Sequence, residues 1–159
     1  MIRIVIAEDH ISLIEGIKLF LEFEDNIKVI GHATNGKELL SVVNKLQPDM
    51  VICDIRMPII DGITAVKEIR KSSNSIKIIA FSMFDQENAV SKMIGAGANG
   101  YILKNSSLSE LLKAIRLVAE GNQYFDPNIL SKAKQPKGAK LSKRQIEILN
   151  LIITSCIHC

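Results

Sequence analysis

Met50-Val51-Ile52-Cys53-Asp54 is a nearly unbroken apolar run that ends in an acid. A run this short and this apolar suits a strand covered on both faces. The chain opens in the same way, with Ile2-Arg3-Ile4-Val5-Ile6-Ala7 followed by Glu8-Asp9. Residues 28–33, 76–82 and 100–103 read as further strands. Between them apolar residues recur at helical spacing, which predicts helices over 11–23, 36–46, 63–70, about 87–94 and 108–120,. Gln47-Pro48-Asp49, Lys71-Ser72-Ser73-Asn74 and Gly95-Ala96-Gly97 supply breaks,. Strands alternating with helices over short connections imply an α/β fold: a doubly wound, five-stranded parallel sheet with helices on both faces.

Composition agrees. The 159 residues are 47% hydrophobic and 23% charged, a balance that excludes disorder for most of the chain,. No apolar run approaches the roughly 18 residues of a membrane span. The opening lacks the longer apolar region of a secretory signal, so the expected location is cytoplasmic,. An odd number of cysteines, 3, argues against a disulfide framework,. Charge is uneven. Residues 1–127 hold 14 Lys and Arg against 16 Asp and Glu, whereas residues 128–159 hold 6 against 1. Such a basic tail reads as a solvated linker or as a nucleic-acid contact.

In a doubly wound sheet the ligand site lies at the carboxyl ends of the strands. Those ends carry Glu8 and Asp9, Asp54, Ser82 and Lys104. Three converging carboxylates repel one another and raise each other's pKa. A divalent cation relieves this, and an oxygen-only donor set favours Mg²⁺. The cation would leave Asp54 ionised and able to attack phosphorus. The Ser82 hydroxyl and Lys104 ammonium can each meet a phosphoryl oxygen. Singly, an Asp after a strand is usually a cap and a Lys a solvated end. Together the five groups match the chemistry of a covalent aspartyl phosphate.

Ala7-Glu8-Asp9-His10, Asp54-Ile55-Arg56-Met57-Pro58, Asp61-Gly62, Ser82, Gly100-Tyr101 and Lys104 resemble the motifs of a bacterial response-regulator receiver domain. The resemblance covers about residues 1–121. It implies a flavodoxin-like fold with strand order 2-1-3-4-5 and a signalling protein, not an enzyme, that works in a two-component phosphorelay. It makes Asp54 the acceptor of a phosphoryl group from a sensor histidine kinase. Glu8, Asp9, Asp54 and the main-chain carbonyl of Arg56 become the Mg²⁺ site. Lys104 contacts the phosphate, and Ser82 with Tyr101 forms the switch pair. The first helix is the implied kinase docking surface. Asn105 follows Lys104 where many receivers have proline, and Met83 stands where many have a small residue, narrowing access for small phosphodonors. A phosphatase with an aspartyl-phosphate intermediate would carry an acid where Arg56 stands.

Leu141-Ser142-Lys143-Arg144-Gln145-Ile146-Glu147-Ile148-Leu149-Asn150-Leu151-Ile152 pairs a capping box, Ser142 with Gln145, with an apolar helical face,. It resembles the opening helix of a LuxR-type helix-turn-helix, and so the NarL/FixJ subfamily. The expected organisation is a receiver over 1–124, a linker over 125–140 and a truncated helix-turn-helix start, a short helical stub, over 141–159. DNA contact would need a complete helix-turn-helix, with its second helix in the major groove. A homodimer is one expected use of the stub's apolar face, and no membrane partner is expected. A stand-alone receiver acting by protein contacts, or as a phosphate sink, is the alternative. Cys156 and Cys159 with His158 lack a second pair for structural zinc,. His10 reads as a helix-start residue at the site rim and Cys53 as core.

Overall fold

The computed structural model describes residues 1–83 and 87–129, with Ile148 and Leu151. The expected site residues all fall within them. Apart from residues 125–129, Ile148 and Leu151, the expected linker, stub, capping box and Cys-His cluster lie outside the described residues.

The element order is β1 (Ile2–Ala7), α1 (Ile11–Leu21), β2 (Ile27–Ala33), α2 (Gly36–Leu46), β3 (Met50–Cys53), α3 (Gly62–Ser72), β4 (Lys77–Ser82), α4 (Glu87–Ala96), β5 (Gly100–Leu103), α5 (Leu108–Ala119) and β6 (Tyr124–Phe125). The sheet is parallel throughout, in the order β2-β1-β3-β4-β5-β6. The order within the first five strands is the expected one. The sixth is an addition, a two-residue strand pairing Gly100 with Tyr124 and Tyr101 with Phe125. The packed fold also reaches past residue 124, because Phe125, Asp126 and Ile129 are buried.

Alternation along the strands splits the core in two. Val5, Ala7, Val51, Cys53, Ile78, Ala80, Tyr101 and Leu103 face one way, against the buried residues of α2, α3 and α4. Ile4, Ile6, Met50, Ile52, Ile79, Phe81 and Ile102 face the other, against α1 and α5. Both faces of the central strands β3, β4 and β5 are covered, so these strands are almost wholly apolar and the site's polar residues collect at their ends,. Ile148 packs against the first of these cores. No helix among the described residues is long and apolar enough to cross a membrane.

Local chemistry sets the helix starts. Asn35 caps α2 by accepting from Glu38 N at 2.8 Å, and Glu38 reaches back to Thr34 N at 2.9 Å. Asp61 caps α3 and Ser107 caps α5,. At the opposite edge, Arg70 of α3 donates to Gly97 O beyond the end of α4, to Ser73 O and Ile76 O, and to the Asn99 side chain before β5.

Candidate functional site

The parallel register brings the acidic strand ends together. Ala7 pairs with Cys53, and Asp54 N donates to Ala7 O at 2.9 Å. Glu8 and Asp54 therefore leave adjacent strands side by side. On the other flank Ser82 pairs with Leu103, and Lys104 N donates to Ser82 O at 2.8 Å. Four strand ends thus deliver Glu8, Asp54, Ser82 and Lys104 to one edge.

Lys104 joins the two sides. Its Nζ lies 3.0 Å from Asp54 Oδ2 and 2.5 Å from Glu8 Oε2. Asp54 Oδ1 accepts from Ile55 N at 2.7 Å. Glu8 and Asp54 are both buried. Two buried carboxylates share one ammonium, so the cluster holds an excess of negative charge. Burial raises the Asp54 pKa above the usual carboxylate value, and the Lys104 hydrogen bond offsets this only in part. Burial also acts to raise Glu8, but hydrogen bonds from Lys104 and His10 outweigh it and hold its carboxyl below the usual value. Burial acts to lower Lys104, yet its two carboxylate partners keep the ammonium protonated beyond its ordinary range,.

Asp9 sits at the rim with a partly exposed side chain. His10 precedes α1 in extended conformation. Its Nδ1 lies 2.7 Å from Glu8 Oε1 and 3.1 Å from Asp9 Oδ1. The Glu8 hydrogen bond is the main cause of a raised His10 pKa. Ligand atoms of Glu8, Asp9 and His10 lie within 4.8 Å of one another. The sequence placed His10 at this rim; what it did not show is that the ring hydrogen-bonds Glu8 with Asp9 close beside it. Arg56 is exposed in the loop after β3, between the buried Ile55 and Met57.

Ser82 and Tyr101 are fully buried behind the carboxylates. Their side chains are hydrogen-bonded, and burial pushes the Tyr101 phenol up to about 12. Met83 points outward, 68% exposed. The Lys104–Asn105 peptide is trans, with no cis bond among the described residues.

The loop from Asp54 to α3 is clamped at both ends. Gly62 N donates to Ile55 O at 2.8 Å, and Gly36 N of α2 donates to Ile60 O at 2.9 Å. Both glycines are sterically required. A Cβ on Gly36 would lie 2.3 Å from Ile60 O, and one on Gly62 would lie 1.9 Å from Asp54 O. Ile59 carries φ +72° in a tight turn closed by Ile60 N to Pro58 O at 2.9 Å. That conformation disfavours a β-branched side chain.

One residue of this neighbourhood escaped the sequence reading. Asp126, 1% exposed, accepts from Leu103 N and Ser106 Oγ on either side of Lys104. A single Asp before a proline at the head of a lysine-rich segment reads only as part of a linker.

Comparison with known proteins gives the same picture. The response regulator receiver domain matches residues 4–116. The chain is 34% identical to the response regulator GacA of Pseudomonas viridiflava, over 96% of this chain and 76% of that protein. It is 35% identical to the uncharacterized transcriptional regulatory protein YvfU of Bacillus subtilis, over 95% of this chain and 75% of that protein. The crystal structure of a LuxR-family two-component response regulator from Aurantimonas superposes with a TM-score of 0.79 and 29% identity, covering 82% of this chain and 94% of that one. With this match over most of its length, and these relatives, the chain belongs to the response regulator receiver domain family.

Proposed function

We propose that Asp54 is the phosphoacceptor of a two-component phosphorelay. The carrying observation is the ammonium of Lys104 set between two buried carboxylates at one sheet edge. A carboxylate oxygen of Asp54 forms a bond to phosphorus as the bond from phosphorus to a histidine nitrogen of the kinase breaks. Lys104 and the Ser82 hydroxyl then meet phosphoryl oxygens. To do so Ser82 gives up its hydrogen bond with Tyr101, and this exchange biases the switch pair between two arrangements.

The donor set suits a hard divalent cation. Glu8 Oε2 is buried and meets, among the described residues, only the Lys104 ammonium that it shares with Asp54, and the cluster has more carboxylates than cations,. Glu8, Asp9, Asp54 and the Arg56 carbonyl would hold Mg²⁺. When bound, the ion supplies charge neutralisation for the incoming phosphoryl oxygens.

Ile11, Leu19 and Phe23 are exposed on and just after α1, which supports docking of a sensor histidine kinase there. The relatives' printed roles support a transcription-regulating output. We place the protein in the cytoplasm and read residues 1–124 as receiver, with the buried Phe125, Asp126 and Ile129 packed onto it, the following residues to 140 as linker and 141–159 as the start of a helix-turn-helix. DNA contact, and a homodimer on DNA, would belong to a complete helix-turn-helix.

Incubation with Mg²⁺ and a small phosphodonor, followed by intact-mass measurement, tests the assignment. Wild type gains one phosphoryl group and Asp54→Asn gains none. A purified kinase replaces the small donor if access past Met83 is slow. Equal uptake by both proteins refutes the role of Asp54.

A further inference from the structure

The buried carboxylate of Asp126 lies outside the phosphoacceptor cluster, yet it holds the chain on both sides of Lys104. Asp126 Oδ2 accepts from Leu103 N at 3.2 Å and from Ser106 Oγ. Its Oδ1 accepts from Asn128 N at 3.0 Å, and its own N–H donates to Tyr101 O at 2.8 Å. Among the described residues these hydrogen bonds, with no ion pair, meet its charge. Burying a carboxylate for donors alone costs free energy unless the donors are fixed in place. Those donors fix one thing directly, the path of the main chain from Leu103 to Ser106, which sets where the Lys104 side chain starts.

We propose that Asp126 is a positioning residue for Lys104: it clamps Leu103 and Ser106 so that the intervening ammonium stays between Glu8 and Asp54. The inference rests on the phosphoacceptor reading of that cluster. It also gives β6 a task, because β6 delivers Asp126 to the end of β5.

Asn at position 126 has the same shape but cannot replace the carboxylate. Either orientation of its amide turns an NH₂ toward a backbone N–H, of Leu103 or of Asn128, which has no acceptor to offer. The lysine loop then loosens. Two readouts move in opposite directions. Lys104 competes with a cation for Glu8 and Asp54, so Asp126→Asn binds Mg²⁺ more tightly, by about tenfold in titration calorimetry. Phosphoryl uptake at saturating Mg²⁺ slows by about 10- to 100-fold, the scale expected when a reacting group is misplaced by an ångström. Ser106→Ala, which removes one donor near the surface, shifts both readouts the same way by less. A merely structural role weakens both.

Lys104→Ala serves as the reference and should reproduce both shifts. Tighter Mg²⁺ binding with slower uptake in Asp126→Asn, absent when Asp126→Asn is added to Lys104→Ala, supports the clamp. Wild-type Mg²⁺ affinity and uptake in Asp126→Asn and Ser106→Ala, while Lys104→Ala is slow, overturn the clamp and leave the phosphoacceptor reading intact. Wild-type uptake by Lys104→Ala overturns the role of Lys104 itself. If Asp126→Asn does not fold, Ser106→Ala decides by the same criteria.

Discussion

Replacing a glycine by alanine should have opposite signs at different points of this chain, and the geometry sets each sign. At Gly62 the new carbon would stand 1.9 Å from Asp54 O, 2.9 Å from Asp54 C and 3.0 Å from Ile55 Cα. These are backbone atoms, so no side chain can rotate away. Reaching the 3.4 Å of ordinary contact parts the first turn of α3 from the Asp54 carbonyl by about 1.5 Å,. That movement breaks the hydrogen bond from Gly62 N to Ile55 O and strains the Asp61 cap. Overpacking of this severity together with a lost buried hydrogen bond costs about 3–4 kcal/mol. For a domain of this size the melting temperature should fall by about 12 °C or more. Because the strain falls on the main chain of Asp54, phosphoryl uptake should also slow by about 100-fold. At Gly16 in α1 and Gly95 in α4, a Cβ meets nothing within 4 Å. Alanine there removes the entropy penalty of a helical glycine and should stabilise by about 0.5–1 kcal/mol each. Far-UV circular dichroism melts of the three variants give the comparison directly. Gly62→Ala melting within about 2 °C of wild type, or Gly16→Ala and Gly95→Ala melting lower, would refute the reasoning.

Two further outcomes follow from local geometry. Glu38 has its pKa lowered, first by the backbone N–H of Thr34 and then by the Thr34 hydroxyl. Its contribution is therefore present above the usual carboxylate range and is lost as pH falls through its lowered folded value. Because Glu38 is largely exposed, solvent screening leaves about 0.5 kcal/mol. Wild type should exceed Glu38→Gln at pH 7 in urea melts, and the gap should close in acid; a gap that widens in acid contradicts the argument. Ile59 is 76% exposed, so replacing it sacrifices little burial. Ile59→Asn relieves a β-branched residue at positive φ and should stabilise by about 1 kcal/mol. Lower stability of that variant would show that the turn carries no such strain.

Much of the fold was legible because each strand is a short apolar run between turn signals. The bounds of β1, α2 and β5 came directly from the sequence. Elsewhere the differences are end effects. Gln47 at left-handed φ stops α2 where the Pro48 signal stood, whereas α3 begins at Gly62, a residue earlier than its apolar spacing suggested, because Asp61 caps it. β6 was invisible: two residues, Tyr124 and Phe125, cannot display alternation, and their pairing depends on the distant β5. The convergence of Glu8, Asp54, Ser82 and Lys104 could be anticipated because residues that end parallel strands share an edge. The Lys104 bridge and the Asp126 contacts are side-chain geometries at long sequence separation, and residue spacing carries no trace of them; the His10 contact with Glu8 is local, but it depends on a ring orientation that residue order does not display.

Arg70 has a mechanical consequence. Its guanidinium spends its donors on carbonyl-type oxygens of two separate connections, Ser73 and Ile76 between α3 and β4 and Gly97 and Asn99 at the exit of α4. A planar fork cannot slide along such partners and keep them all. Any displacement of α4 that preserves this knot is therefore a swing about its exit, like a door on its pin. The amplitude of such a swing grows with distance from Gly97 and is greatest at the end of the helix nearest β4 and Ser82.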